Sequence, residues 1–192
     1  MVQSSNLGFR PFVEQHITRA GRRVRLLTRD ENMAEVIAGQ PAPSFSLPLD
    51  DGTTFDLAGQ RGRPVVVYFY PQDDTEGCTA EAIAFSRLLP EFRQAGAAVI
   101  GISPDSAKKH GKFKAKYGLA HPLGADERLD VTKAFGVWGE KTTFGRTYMG
   151  VERATFLIGA DGRIVRVWRR VRVKGHAEAV LDAVQALAAP NK

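Results

Sequence analysis

Residues 65–78 read VVVYFYPQDDTEGC. The first six are β-branched or aromatic and carry no charge, the pattern of a central strand covered on both faces. Pro71 cannot donate to a strand ladder, so the run stops there and a polar loop follows. A helix then starts at about Cys78, with Phe85, Leu88, Leu89 and Phe92 at core-facing spacing. Pro90 should kink or shorten it. A buried strand, a short loop and an opening helix form the unit from which layered α/β domains are assembled.

The surroundings extend that reading. Upstream, 44–47 and 54–56 flank Asp51-Gly52 and form a small hairpin. Downstream come a strand at 98–102, a Lys-rich helix over 105–117 and a short helix at 131–135. Two strands, 154–158 and 164–168, then flank the turn Ala160-Asp161-Gly162, and an amphipathic helix at 177–187 closes the chain. The order is an α/β domain with a central mixed sheet flanked by helices. Its late hairpin and terminal helix mark a thioredoxin-like fold. No internal repeat or low-complexity segment interrupts it.

At 192 residues, the chain accommodates one well-buried domain and a modest extension. Residues 1–32 hold six Arg and three acids, +3 of the total +6, which leaves only +3 on the other 160 residues. That is an ordinary surface balance rather than a nucleic-acid footprint. We read 1–32 as a basic extension and 33–192 as the domain. The extension is either an organelle-targeting peptide, Arg-rich and acid-poor, or an upstream stretch with Met33 as the working start. MAEVIAGQPAPSF from Met33 reads as a domain opening and favours the second. No apolar run is long enough for a membrane span or a signal peptide, so a reducing, cytoplasmic location is expected, with an organelle as the alternative. The four histidines (16, 110, 121 and 176) show no metal-ligand spacing, and neither a metal nor a cofactor is expected.

Cys78 is the single cysteine of the chain. It cannot form an internal disulfide, so it is either a buried small hydrophobe or a reactive thiol. In the first turn of a helix it would face unpaired N–H groups and the positive end of the macrodipole, which favour thiolate. Thr75 stands three residues earlier, where its hydroxyl could reach back to that thiolate, and Gly77 allows close backbone approach. Taken singly, each has a plainer reading: Thr75 as an N-cap, Cys78 as core. The alternating stretch 166–173 could suggest nucleic-acid binding, but a strand with one wet, basic face fits better. Trp138 and Phe144 read as packing or pocket walls rather than stacking platforms.

Pro71-x-x-x-Thr75-x-x-Cys78 resembles the active-site signature of the peroxiredoxins. The stretch YFYPQDDTEGCTAEA is similar to their bacterioferritin comigratory protein, or peroxiredoxin Q, subfamily. So are TYMGVERATFLIGADGRIVRVW at 147–168, which contains Arg153, and VKGHAEAVL at 173–181. The resemblance runs from about Met33 to the C-terminus. It implies a peroxiredoxin-type leading hairpin and a thiol peroxidase of the thioredoxin-dependent class. In that resemblance Cys78 attacks the peroxide, Thr75 holds it, Arg153 stabilises the thiolate and polarises the O–O bond, Pro71 shields the thiol, and Glu81 orients the arginine.

A magnitude sets the balance among these groups. A free thiol with a pKa of about 8.5 is a few per cent ionised at neutral pH, so full ionisation gains only some thirty-fold. Nucleophilicity falls along with pKa, which shrinks the gain further. Most of the acceleration then has to come from donors placed against the transition state.

The chain departs from its relatives at one position. Many subfamily members carry a resolving cysteine five residues after the first, and here that residue is Ile83. A sulfenic acid at Cys78 would need an outside reductant, whether thioredoxin, glutaredoxin, glutathione or Cys78 of another subunit. The resemblance implies a monomer. Two other functions share these features: a peroxide sensor or relay using the same cysteine, and a nucleic-acid-binding module on the basic stretch.

Overall fold

The structure, a computed structural model, describes residues 35–143 and 145–188. The basic extension at 1–32 and Phe144 lie outside the described residues.

β1 (Ser46–Pro48) and β2 (Thr54–Asp56) pair antiparallel as the leading hairpin, Leu47 opposite Phe55. Asp51 accepts from both the Thr53 amide and its hydroxyl, which closes the turn. β3 (Val65–Phe69) is buried along its whole length. It lies at the centre of a five-stranded sheet in the order β5-β4-β3-β8-β9. β4 (Ala98–Ser103) runs parallel to it on one side, and β8 (Ala154–Ile158) runs antiparallel on the other. β9 (Ile164–Trp168) pairs antiparallel with β8 at one edge. The edge beyond β4 is β5 (Leu123–Ala125), three residues that carry no turn signal or alternation of their own and that the sequence reading missed.

The period of two in β3 divides the core. Val65, Val67 and Phe69 face one cluster, which holds the leading hairpin and α4 (Asp130–Ala134). Val66, Tyr68 and Tyr70 face the other, which holds α1 (Glu76–Arg87), α2 (Leu89–Gln94) and α5 (His176–Ala188). Pro90 breaks the helix as expected: α1 stops at Arg87 and α2 starts with the proline in its first turn, where a missing N–H costs nothing. α3 (Ala107–Tyr117) is capped by Ser106, whose hydroxyl accepts from the Lys109 amide, and it ends on the left-handed Gly118.

Two expectations change. A second hairpin, β6 (Trp138–Thr143) with β7 (Arg146–Val151), stands where the sequence pointed to no strand. Residues 146–149 of β7 are exposed, so no buried face imposed an alternating pattern there. The basic stretch also does not continue as a strand beyond Trp168. Arg166 stacks over the Trp168 ring at 4.7 Å, Arg169 bonds the Gly136 carbonyl and Glu152, and Arg170 takes a left-handed φ of 49°. These contacts occupy Arg166 and Arg169 within the fold. Trp138 packs against the first core cluster, as expected.

Candidate active site

The register of the central sheet assembles the site. Ala154 pairs with Phe69, so Arg153, one residue earlier, stands at the same end of the sheet as Tyr70 and the loop leading to α1. Tyr70 is tied there by its amide bond to the Ile102 carbonyl. A residue 75 positions away in sequence thereby reaches the cysteine.

Cys78 is the third residue of α1, in its first turn, and is only 2% exposed. Arg153 Nη2 donates to Cys78 Sγ at 3.2 Å. Its other terminal nitrogen, Nη1, donates to Glu81 Oε2. Glu81 follows Cys78 by three residues, so both side chains lie on one face of α1 and one guanidinium spans them. Gly77 is where this guanidinium meets the helix, since a Cβ there would stand 3.4 Å from Nη2.

The electrostatics follow from burial. Glu81 is 1% exposed and its Oε1 has no hydrogen-bond partner among the described residues. Burial pushes its carboxyl up to about 7 from 4.5, against the pull of Arg153. Arg153 is held above its ordinary value: burial opposes its charge, but Glu81 and Cys78 outweigh that. His176, bonded to Thr155 Oγ1 at 2.8 Å, is driven down to about 4 by burial and then by the charge of Arg153.

Thr75 occupies the N-cap of α1 with extended backbone, but its side chain makes no capping bond. Its hydroxyl donates to the Gln72 carbonyl at 3.2 Å, not to the sulfur. A hydroxyl has one proton to give, so Thr75 offers lone pairs to anything bound beside it. Pro71 is exposed at the start of the loop. Ile83, at the place of the resolving cysteine, is 43% exposed and lies outside the cluster.

The sequence reading overlooked two neighbours of these residues, Asp73 and Asp74, which stand inside the quoted stretch. They turn opposite ways: Asp73 is 2% exposed, while Asp74 is exposed with a left-handed φ of 62°. The doubled acid in a turn was the available signal, but the partners His110, Lys116 and Tyr117 lie on α3, out of reach of local pattern.

A thiol under a guanidinium in a closed first turn, with a threonine at the cap, is an arrangement for attack by sulfur on a small polar electrophile. The AhpC/TSA family matches residues 38–167. The chain belongs to the AhpC/TSA family, and is a peroxiredoxin, a thiol-dependent peroxidase that takes a peroxide as substrate and a thiol as reductant. It is 46% identical over 156 residues to Peroxiredoxin Bcp of Xanthomonas campestris, covering 80% of this chain and 98% of that one. Peroxiredoxin Bcp of Escherichia coli is 43% identical over 145 residues, covering 76% and 93%. Among solved structures, the Xanthomonas campestris bacterioferritin comigratory protein, described for its alkyl peroxide reduction activity, superposes with a TM-score of 0.75. It is 44% identical and covers 79% of this chain and 99% of that one. Peroxidoxin BcpB of Mycobacterium tuberculosis gives 0.71 at 33% identity, covering 80% and 99%. No described helix is long and apolar enough to cross a membrane.

Proposed function

We propose that this chain reduces hydrogen peroxide and organic hydroperoxides through Cys78 alone, and that an external thiol recycles it. The Cys78 thiolate attacks one peroxide oxygen and the O–O bond breaks. The sulfur becomes a sulfenic acid, and the departing oxygen leaves as water or an alcohol after taking a proton. A first thiol then condenses with the sulfenic acid, releasing water and forming a mixed disulfide. A second thiol displaces the first and restores Cys78.

The observation that carries this reading is the guanidinium of Arg153, 3.2 Å from Sγ and anchored to Glu81 through its other nitrogen. Held in place before the reaction, it can stabilise charge on sulfur and on the breaking O–O bond without reorganising. Thr75, its proton spent on Gln72, accepts from the O–H of the peroxide. Pro71 shields the thiol from solvent, and Glu81 orients the arginine. With Ile83 at the resolving position and no second cysteine in the sequence, the reductant is thioredoxin, glutaredoxin or a small thiol such as glutathione. The working unit is residues 33–192, acting as a cytoplasmic monomer.

The test is peroxide consumption with thioredoxin, glutaredoxin and glutathione systems supplied in parallel, by wild type and Cys78→Ser. Wild type should turn over with at least one of them and the variant with none. Equal turnover by the variant would remove Cys78 from the mechanism.

A further inference from the structure

The loop from Pro71 to Thr75 is held at two points by α3, a helix outside the thiol cluster. At the first point, the buried Asp73 accepts from the Tyr70 hydroxyl at 2.7 Å through Oδ1 and from His110 Nδ1 at 2.8 Å through Oδ2. His110 has no exposed surface, and its Nε2 lies 3.2 Å from the Gly124 carbonyl. With Nδ1 on Asp73 and Nε2 beside the Gly124 carbonyl, the ring bridges the loop to β5. The Asp73 amide donates to Asp105 Oδ2 at 2.7 Å, and that oxygen also accepts from the Ser103 hydroxyl at 2.8 Å.

At the second point, Asp74 receives Lys116 Nζ at 2.8 Å on both carboxylate oxygens and the Tyr117 hydroxyl at 2.5 Å. These bonds hold its carboxyl below the usual range, Lys116 first and Tyr117 second. Asp74 sits in the left-handed region, which Asp visits more readily than most side chains, and its bonds to Lys116 and Tyr117 hold it there.

Resting on the peroxidase reading above, we propose that α3, through His110–Asp73 and Lys116/Tyr117–Asp74, is the positioning element that sets the Thr75 hydroxyl for peroxide. The connection is short. Asp73 and Asp74 flank Thr75 on one side, and Gln72, whose carbonyl orients that hydroxyl, precedes Asp73 directly. Releasing either aspartate frees the Gln72 carbonyl, and the hydroxyl loses its fixed direction. Cys78 and Arg153 are held by α1, β8 and Glu81 and do not depend on the clamp. The clamp residues touch neither sulfur nor substrate.

That separation supplies the test. In Asp74→Gly the backbone can keep its left-handed conformation without strain while the side-chain anchor is lost. Three variants of the full chain, Asp74→Gly, Tyr117→Phe and His110→Gln, are compared with Asp74→Asn, which retains an acceptor and tolerates φ 62°. Two rates are read at one pH: peroxide reduction in a single turnover, and alkylation of Cys78 by iodoacetamide, which needs the thiolate but not Thr75. Asp74→Gly and His110→Gln should slow peroxide reduction about tenfold or more, because misplacement of one group by an ångström or less costs this much. Alkylation should stay within about threefold, Tyr117→Phe should fall between, and Asp74→Asn should stay near wild type. Amide exchange over 71–77 should quicken while that of α5 is unchanged. Both reactions falling together, or neither falling, would overturn the clamp, as would unaltered exchange over 71–77. Tyr117→Phe removes a single hydroxyl and keeps the test open if a deeper variant fails to fold. A wild type inert to peroxide would sink the peroxidase reading, and the exchange result would still decide the clamp.

Discussion

Replacing Glu81 with Gln separates two opposing forces on a buried carboxylate. One oxygen of Glu81 bonds Arg153 and the other has no partner among the described residues, at 1% exposure. Burial therefore outweighs the guanidinium, and the group titrates at about 7 instead of 4.5. A shift of that size corresponds to about 3 kcal/mol. Its sign is that of a carboxyl raised on folding. The unfolded chain gives up its proton first, so the contribution is fully present below about 4.5 and is lost as pH rises through about 7. Glu81→Gln keeps the shape and removes the titration. Between pH 5 and pH 8 the stability difference should move against wild type by about 2–3 kcal/mol. Urea denaturation of both proteins at the two pH values, at one ionic strength, measures this with all other titrations cancelling. A difference constant within about 0.5 kcal/mol would refute the reasoning. So would wild type gaining on the variant as pH rises, because attraction to Arg153 would then exceed the cost of burial.

Arg153→Lys keeps the charge but has one nitrogen where the guanidinium uses two, Nη1 for Glu81 and Nη2 for Cys78. Its kcat/KM for peroxide should fall by about 10²–10³, and that of Thr75→Val by about 10², the usual loss on removing one preorganised partner. Stopped-flow peroxide kinetics would check both, and rates within a few-fold of wild type would dismiss these roles. Gly101→Ala should destabilise the fold by about 1–3 kcal/mol through overpacking. The added Cβ would stand 2.5 Å from the Tyr68 ring and hydroxyl and 2.9 Å from Leu123. Tyr68 cannot give way, since it is bonded to His121 at 2.7 Å and stacked on Phe85 at 4.6 Å. An unchanged urea midpoint would show that the core yields more readily than these contacts imply.

The parts of this protein readable from sequence are those governed by neighbours along the chain. An uncharged, continuous run of β-branched and aromatic residues marks β3 as central, Pro90 ends α1 by its missing N–H, and Cys78 falls in the first turn because Pro71 stops the strand. Arg153 was reachable only through resemblance, since its meeting with Cys78 depends on Ala154 pairing with Phe69 rather than on spacing. β5 and the β6–β7 hairpin were missed because three residues, or an exposed ribbon, carry too little hydrophobic pattern to register. Tertiary structure alone decided that the Thr75 hydroxyl turns to Gln72, that one oxygen of Glu81 has no partner among the described residues, and that α3 grips Asp73 and Asp74. The physical reason is the same in each case. Local sequence dictates backbone shape over a few residues, whereas hydrogen-bond partners and burial are set by which distant segments the sheet register brings together.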